Sequence, residues 1–250
     1  MIGAGMALTG ACPGTIFVQI GVGIPSTLPV LLGGVVGGIL YAGLASRLQT
    51  GATATKIQDP NDLTIPSKFK VDQNVSFLAY EALLLSGILI FSKLQSTPPR
   101  ILNPVIGGLA VGAAQFASVV LRVTPLGVST AFEDFGKWVW WVAERIKTGK
   151  NSTSMPKPSA KLVQFAISIA AGSYLFTKLR PEYAIVTEQA KISPTTGFLG
   201  GLVMILGARI AGGCTSGHGI SGMSMLSVSS IISVASMFGA GIGLGVILSR

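Results

Sequence analysis

One histidine, two cysteines and nine acidic residues are all that 250 positions hold of those chemistries, and only 11% of the chain is charged. A water-soluble domain carries about 25% Asp, Glu, Lys and Arg, so the shortage of charge excludes an ordinary soluble fold. A lone histidine and two cysteines 202 positions apart cannot supply the closely spaced ligand set of a structural zinc site. No glycine-rich nucleotide loop of the G-x-x-x-x-G-K form is present either. Neither a metal nor an organic cofactor is expected, and no enzymatic chemistry is called for. No basic stretch precedes the apolar run that begins at Ile2, so the start does not read as a cleaved signal peptide. It reads as opening inside a membrane element.

What the chain has in quantity is hydrophobic residues, 49% of positions, and 33 glycines, with a mean hydropathy of +0.66. This is the composition of a multi-pass helical membrane protein, in which small residues let helix backbones approach. The net charge of +9 lies mostly in the connections between apolar runs. Membrane topology and anionic lipid head groups account for it there, and nucleic acid is not implied.

Taken in order, Ile2 to Gly23 is apolar but interrupted by Gly10-Ala-Cys12-Pro13-Gly14, where Pro13 lacks the N–H of a continuing helix; two half-helices meeting at Cys12 are predicted. Pro25–Ser46, Gln73–Gln95, Pro104–Arg122, Leu162–Thr177 and Val228–Leu248 are predicted spans, set against a hydrocarbon core of about 30 Å. Polar connections are expected over Arg47–Asp72, at Pro98-Pro99-Arg100, over Lys147–Lys161 and through Glu182–Pro194. The stretch around Trp138, Trp140 and Trp141 fits the membrane–water boundary, as a horizontal or re-entrant helix. Counting Lys and Arg by side places the loops at Arg47–Asp72 and Thr124–Lys161 in the cytoplasm.

The chain is organised around Gly207 to Gly222, which holds six glycines in sixteen residues together with Cys214 and His218. Each glycine costs a helix about 1 kcal/mol against alanine, so the backbone is expected to break. In lipid a break leaves amide groups that need partners, and open helix ends suit an anion. A shift of 202 positions lays Gly5, Gly10 and Cys12 over Gly207, Gly212 and Cys214, and Gly37 over Gly239. Broken segments at matching places in two halves point to a transporter site near the midplane.

The Gly207–Gly222 stretch, the Gly5–Gly14 loop and the short Thr124-Pro-Leu-Gly-Val128 motif together resemble the sulfur-transport (YeeE/YedE) family of membrane proteins, some of which take up thiosulfate. The resemblance spans nearly the whole chain. It implies an all-α, polytopic, hourglass-shaped protein with pseudo-symmetric inverted repeats, in which cysteine loops dip in from opposite faces and relay thiosulfate through transient S–H···S contacts. It would be a single membrane domain over 1–250, with 1–46 as a first, N-terminally short repeat and 195–250 as the second. The family pattern also includes a third cysteine in an earlier helix, for which this sequence has no residue.

Each candidate has a plain structural reading beside the functional one. Cys12 and Cys214 can be small buried hydrophobes, or thiols that hold a polarisable sulfur weakly enough to release it. His218 can bond a backbone carbonyl, or donate to the anion and orient Cys214. Arg209 is costly against lipid; it ties the broken loop to carbonyls or attracts the anion, with Glu81 a candidate partner. Thr215, Ser216 and Ser221 offer hydroxyls to an oxyanion or to local backbone. Gly10, Gly14, Gly213 and Gly217, with Pro13, shape the loops. The leading expectation is transport of a small sulfur-containing anion, most of all thiosulfate, with membrane lipid as surroundings. The rivals are a membrane sulfurtransferase that passes sulfur through Cys214 to a soluble sulfur-carrier protein, and a non-transporting assembly subunit.

Overall fold

A computed structural model describes residues 1–51, 64–94, 104–122, 127–148, 158–181 and 192–248. Ten α-helices are described, in the order α1 (Ile2–Thr9), α2 (Thr15–Val22), α3 (Thr27–Gly51), α4 (Ile65–Phe69), α5 (Gln73–Leu94), α6 (Pro104–Arg122), α7 (Ser129–Thr148), α8 (Lys161–Leu179), α9 (Pro194–Ile210) and α10 (Val228–Leu248). A π-helical segment, Thr215–Gly222, separates α9 from α10. Apart from an isolated bridge between Thr64 and Ser227, no β-structure occurs among the described residues.

Among the described residues four helices are long and apolar enough to cross a membrane, at Thr27–Ala45, Gln73–Ile90, Lys161–Leu179 and Val228–Leu248, and α9 with the π-segment makes a fifth that is bent by 44°. The protein is an all-α, multi-pass membrane protein. The predicted half-helices flanking Cys12 are α1 and α2. The expected span over Pro104–Arg122 differs: its apolar part, Val105–Leu121, is shorter than the four full spans, because Pro104 and Arg122 mark its ends. The polar connections expected near Pro98, within Lys147–Lys161, through Glu182–Lys191 and over 52–63 of Arg47–Asp72 lie outside the described residues, as does Thr124-Pro-Leu of the short motif.

The chain forms two compact units. The first comprises Met1–Thr53, Gly127–His218 and Ser233–Arg250, and α9 is its centre. Gly197, Gly200, Gly201, Met204, Ile205 and Ala208 are buried, a three-to-four-residue spacing that brings them onto one side of the helix. Small residues there let the neighbouring backbones come close, which is how helices associate without a hydrophobic drive between them. A Cβ on Gly33 or Gly37 of α3 would meet the carbonyl oxygens of Phe198 or Leu202, and one on Gly136 of α7 would come within 2.5 Å of the Gly38 carbonyl oxygen. Trp140 of α7 donates its indole N–H to the Ile39 carbonyl at 2.9 Å, so this ring of the predicted boundary cluster also fastens α7 to α3.

The second unit comprises Ala54–Leu126 and Gly219–Ile232. Within it the Ile65 amide donates to the Leu226 carbonyl at 3.0 Å, and Gln115, midway along α6, donates from Nε2 to Ser221 Oγ at 3.1 Å.

Candidate functional site

Both cysteine loops are built by the same local sequence logic. Helix α1 stops at Gly10, whose φ of 59° is left-handed and whose amide returns to the Met6 carbonyl at 2.9 Å. Helix α9 stops near Gly212, with φ 76° and its amide on the Arg209 carbonyl at 3.3 Å. Only glycine adopts this conformation without strain. A Cβ at either position would meet nothing within 4 Å, so the backbone angle, and not space, selects glycine there.

Two residues on, each cysteine opens the next helix. The Cys12 carbonyl accepts from the Ile16 amide at 3.2 Å, and the Cys214 carbonyl accepts from the His218 amide at 2.8 Å. The Thr15 amide donates to Cys12 Sγ at 3.4 Å. Ile16 becomes His218 under the same 202-position shift. Cys12 Sγ thus takes a free amide at the start of α2, as a capping side chain does. At Cys12 the cap is reciprocal, since the Cys12 amide donates to Thr15 Oγ1 at 2.8 Å, as in a capping box with sulfur replacing the usual hydroxyl. Pro13 lies in the turn just before α2, where its missing N–H removes no intrahelical bond.

The repeat extends into packing. A Cβ on Gly5 would meet Met204 Cβ at 2.5 Å, and one on Gly207 would meet the Ile2 amide nitrogen at 2.9 Å. The shift turns the pair 5 and 204 into the pair 207 and 2, which is what a two-fold relation between α1 and α9 produces.

The Cys12 loop meets the start of α7: a Cβ on Gly14 would lie 3.7 Å from Val128 Cγ2 and 3.9 Å from Cys12 Sγ. Ser216 Oγ lies 3.1 Å from Cys214 Sγ. Cys214 is fully buried and Cys12 is partly exposed, and both are free thiols. Ala11, Ile16, Phe132 and Cys214 belong to one apolar cluster.

His218 Nε2 is 3.2 Å from the Ala211 carbonyl oxygen, and because a carbonyl only accepts, this nitrogen carries the proton. A Cβ on Gly213 would come within 2.8 Å of the ring, so glycine is needed there to seat the histidine. Thr215 Oγ1 is buried and has no hydrogen-bond partner among the described residues. Ser221 is taken by Gln115.

Arg209 is held by side chains of α7 and α3. Its Nη2 forms an ion pair with Glu133 Oε2 on α7, Nη1 donates to Thr130 Oγ1 at 3.4 Å, and the guanidinium lies 5.5 Å from the Tyr41 ring centroid. Lys137 Nζ reaches the other oxygen of Glu133 at 2.6 Å. The partner is therefore Glu133 and not Glu81, which lies on α5 in the other unit and is exposed. Thr130, Glu133 and Thr15 were not singled out from sequence. Thr130-Ala-Phe-Glu133 does match the helix-start pattern S/T-x-x-E, the one local signal that marks the beginning of α7.

Apolar spans, one of them bent, and two cysteine-bearing breaks between helical segments define a multi-pass membrane protein of the broken-helix class. The chain belongs to the sulphur transport family, whose family model matches residues 1–244. It is also similar to two proteins of Xylella fastidiosa, each described as a probable transporter. The one from strain Temecula1 / ATCC 700964 is 29% identical over 132 residues, which is 53% of this chain and 83% of the relative. The one from strain 9a5c is 27% identical over the same extent. Membrane transport of a sulfur compound follows from this membership.

Proposed function

We propose that the transported species is a small oxyanion with a terminal sulfur, thiosulfate above all, and that Cys12 and Cys214 hand it on in turn. The observation that carries the reading is the matched pair of thiols, each at the amino end of a helical segment that follows a break. The amino end of a helix carries partial positive charge and unsatisfied N–H groups, which attract an anion. The thiol meets the polarisable sulfur end weakly, and weak multi-site binding is what lets an ion leave as well as enter. Thr215 Oγ1, buried without a partner, and Ser216 offer hydroxyls to the oxygen end. Arg209, neutralised by Glu133, braces α9 against α7 and is not the anion's counter-charge.

Full burial of Cys214 favours a relay over the rival sulfurtransferase, because a soluble carrier's thiol needs open access for covalent exchange. Purified protein in liposomes tests the reading directly. Under an imposed proton or sodium gradient, radiolabelled thiosulfate accumulates, excess unlabelled thiosulfate suppresses the signal, and excess sulfate leaves most of it. Equal competition by sulfate, or accumulation no greater than in protein-free liposomes, refutes the assignment.

A further inference from the structure

Helix α7 runs beside α3, not across it. A Cβ on Gly34 would lie 2.9 Å from the Phe132 ring, one on Gly38 would meet the Phe132 carbonyl, and one on Gly43 would lie 2.8 Å from the Trp140 ring. Contacts that climb both helices together mark parallel packing, and α3 contains the apolar span Thr27–Ala45. Phe132 and Gly136 meet the middle of that span, at Gly34 and Gly38, while Trp140 meets its end at Gly43. Glu133 and Asp134 therefore stand at mid-depth in the membrane, and the Trp138–Trp141 ring pair with Arg145 lies at its boundary.

Ionisable groups at this depth are costly, and those retained there mark ion and proton pathways. The two carboxylates are not equally compensated. Glu133 takes both cations, Arg209 on one oxygen and Lys137 at 2.6 Å on the other. Asp134, only 7% exposed, has Lys137 alone within ion-pair distance among the described residues, at 3.9 Å, beyond hydrogen-bond reach. The charges acting on it are those of Lys137 and Glu133 on its own helix and of Arg209 on α9; α3 and α8 bring none among the described residues. A carboxylate withdrawn from water without a bonded counter-charge favours its neutral, protonated form. The Lys137 side chain, 48% exposed, leads from Asp134 toward the boundary. In the other direction Phe132 packs in the apolar cluster that holds Ala11 and Cys214, and Val128 adjoins the Cys12 loop at Gly14. Asp134 thus stands between the cysteine loops and the membrane surface.

We infer that Asp134 is the proton-binding group that couples anion uptake to a proton gradient. It takes one proton on the side of entry and gives it up on the other side as the anion leaves, so that its carboxylate is restored for the next cycle. An anion at the cysteine loops draws a proton to Asp134, and by reciprocity the bound proton strengthens anion binding. This rests on the proposed oxyanion transport, but proton binding can be tested without it.

The experiment follows labelled thiosulfate in liposomes that carry wild type, Asp134→Asn or Asp134→Glu, with the membrane potential clamped at zero. Under an inside-alkaline gradient of about one pH unit, one proton per anion lets wild type accumulate about tenfold more thiosulfate than without the gradient. In a second mode, external label exchanges for internal unlabelled thiosulfate with no gradient, which needs no net proton movement. Asp134→Asn, an uncharged mimic of the protonated acid, is expected to lose the gradient response and to exchange at close to the wild-type rate. Asp134→Glu is expected to keep both. The inference is overturned if Asp134→Asn keeps the gradient response, or if wild type answers a sodium gradient and not a pH gradient. It is equally overturned if Asp134→Asn loses exchange along with accumulation, the mark of a structural role. Infrared difference spectra of the purified protein, recorded across neutral pH, are expected to show a protonated carboxylic acid band in wild type that Asp134→Asn lacks. A wild type that neither accumulates nor exchanges thiosulfate sinks the oxyanion reading, while the infrared band still decides whether Asp134 binds the proton.

Discussion

Three glycines near the cysteines serve different purposes, and substitution separates them. Gly10 and Gly212 hold left-handed backbone in open surroundings, so alanine at either position costs about 1 kcal/mol of backbone strain and displaces no neighbour. Gly213 is crowded instead: alanine there drives its Cβ into the His218 ring and breaks the bond to Ala211. Thermal unfolding in detergent is expected to show a small, equal decrease for Gly10→Ala and Gly212→Ala. Gly213→Ala is expected to depress uptake as well, because the displaced histidine lies on the turn that presents Cys214. Equal uptake in all three variants would remove His218 from the site's support. The need for glycine at these positions was legible in the sequence as density. Which glycines needed the angle and which the space was not, since that depends on a ring four or five residues away folding back.

Between elements, the strongest polar link described is the ion pair from α9 to α7. Arg209 and Glu133 are both largely buried, with side chains 13% and 10% exposed. Removing one partner of such a pair leaves an uncompensated charge and costs about 3 kcal/mol or more, whereas removing both is nearly neutral. Arg209→Met is therefore expected to lower the unfolding temperature strongly, and Arg209→Met with Glu133→Gln is expected to recover most of the loss. Failure of the double variant to recover would mean that Arg209 has another partner, such as the transported ion. From sequence the charge of Arg209 demanded a partner in the apolar interior, and Glu81, inside a predicted span, was the candidate it offered. The choice of Glu133 over Glu81 follows from how α7 packs beside α9 and α3, a tertiary fact.

Across the molecule, much of the architecture was written in composition and punctuation. Low charge gave the membrane, Pro13 and the glycine clusters gave the breaks, and two cysteines at one shift gave the repeat. Those signals are local, so they survive in a single sequence. The same shift relates the glycine helix stops at Gly10 and Gly212 and the packing of Gly5 and Gly207. With no nucleotide loop in sight, inward movement of an anion against the membrane potential opposes about 2.3 kcal/mol per charge per 100 mV. Accumulation is therefore expected to require an imposed ion gradient, and uptake measured with and without a proton or sodium gradient identifies it. The relay itself is tested most directly by thiosulfate uptake in liposomes carrying Cys12→Ser, Cys214→Ser or both. The account predicts that each single replacement lowers the rate by about tenfold or more while the protein stays folded, since a hydroxyl caps the helix as well as a thiol but meets sulfur poorly. A doubly replaced protein that transports thiosulfate at the wild-type rate would contradict it.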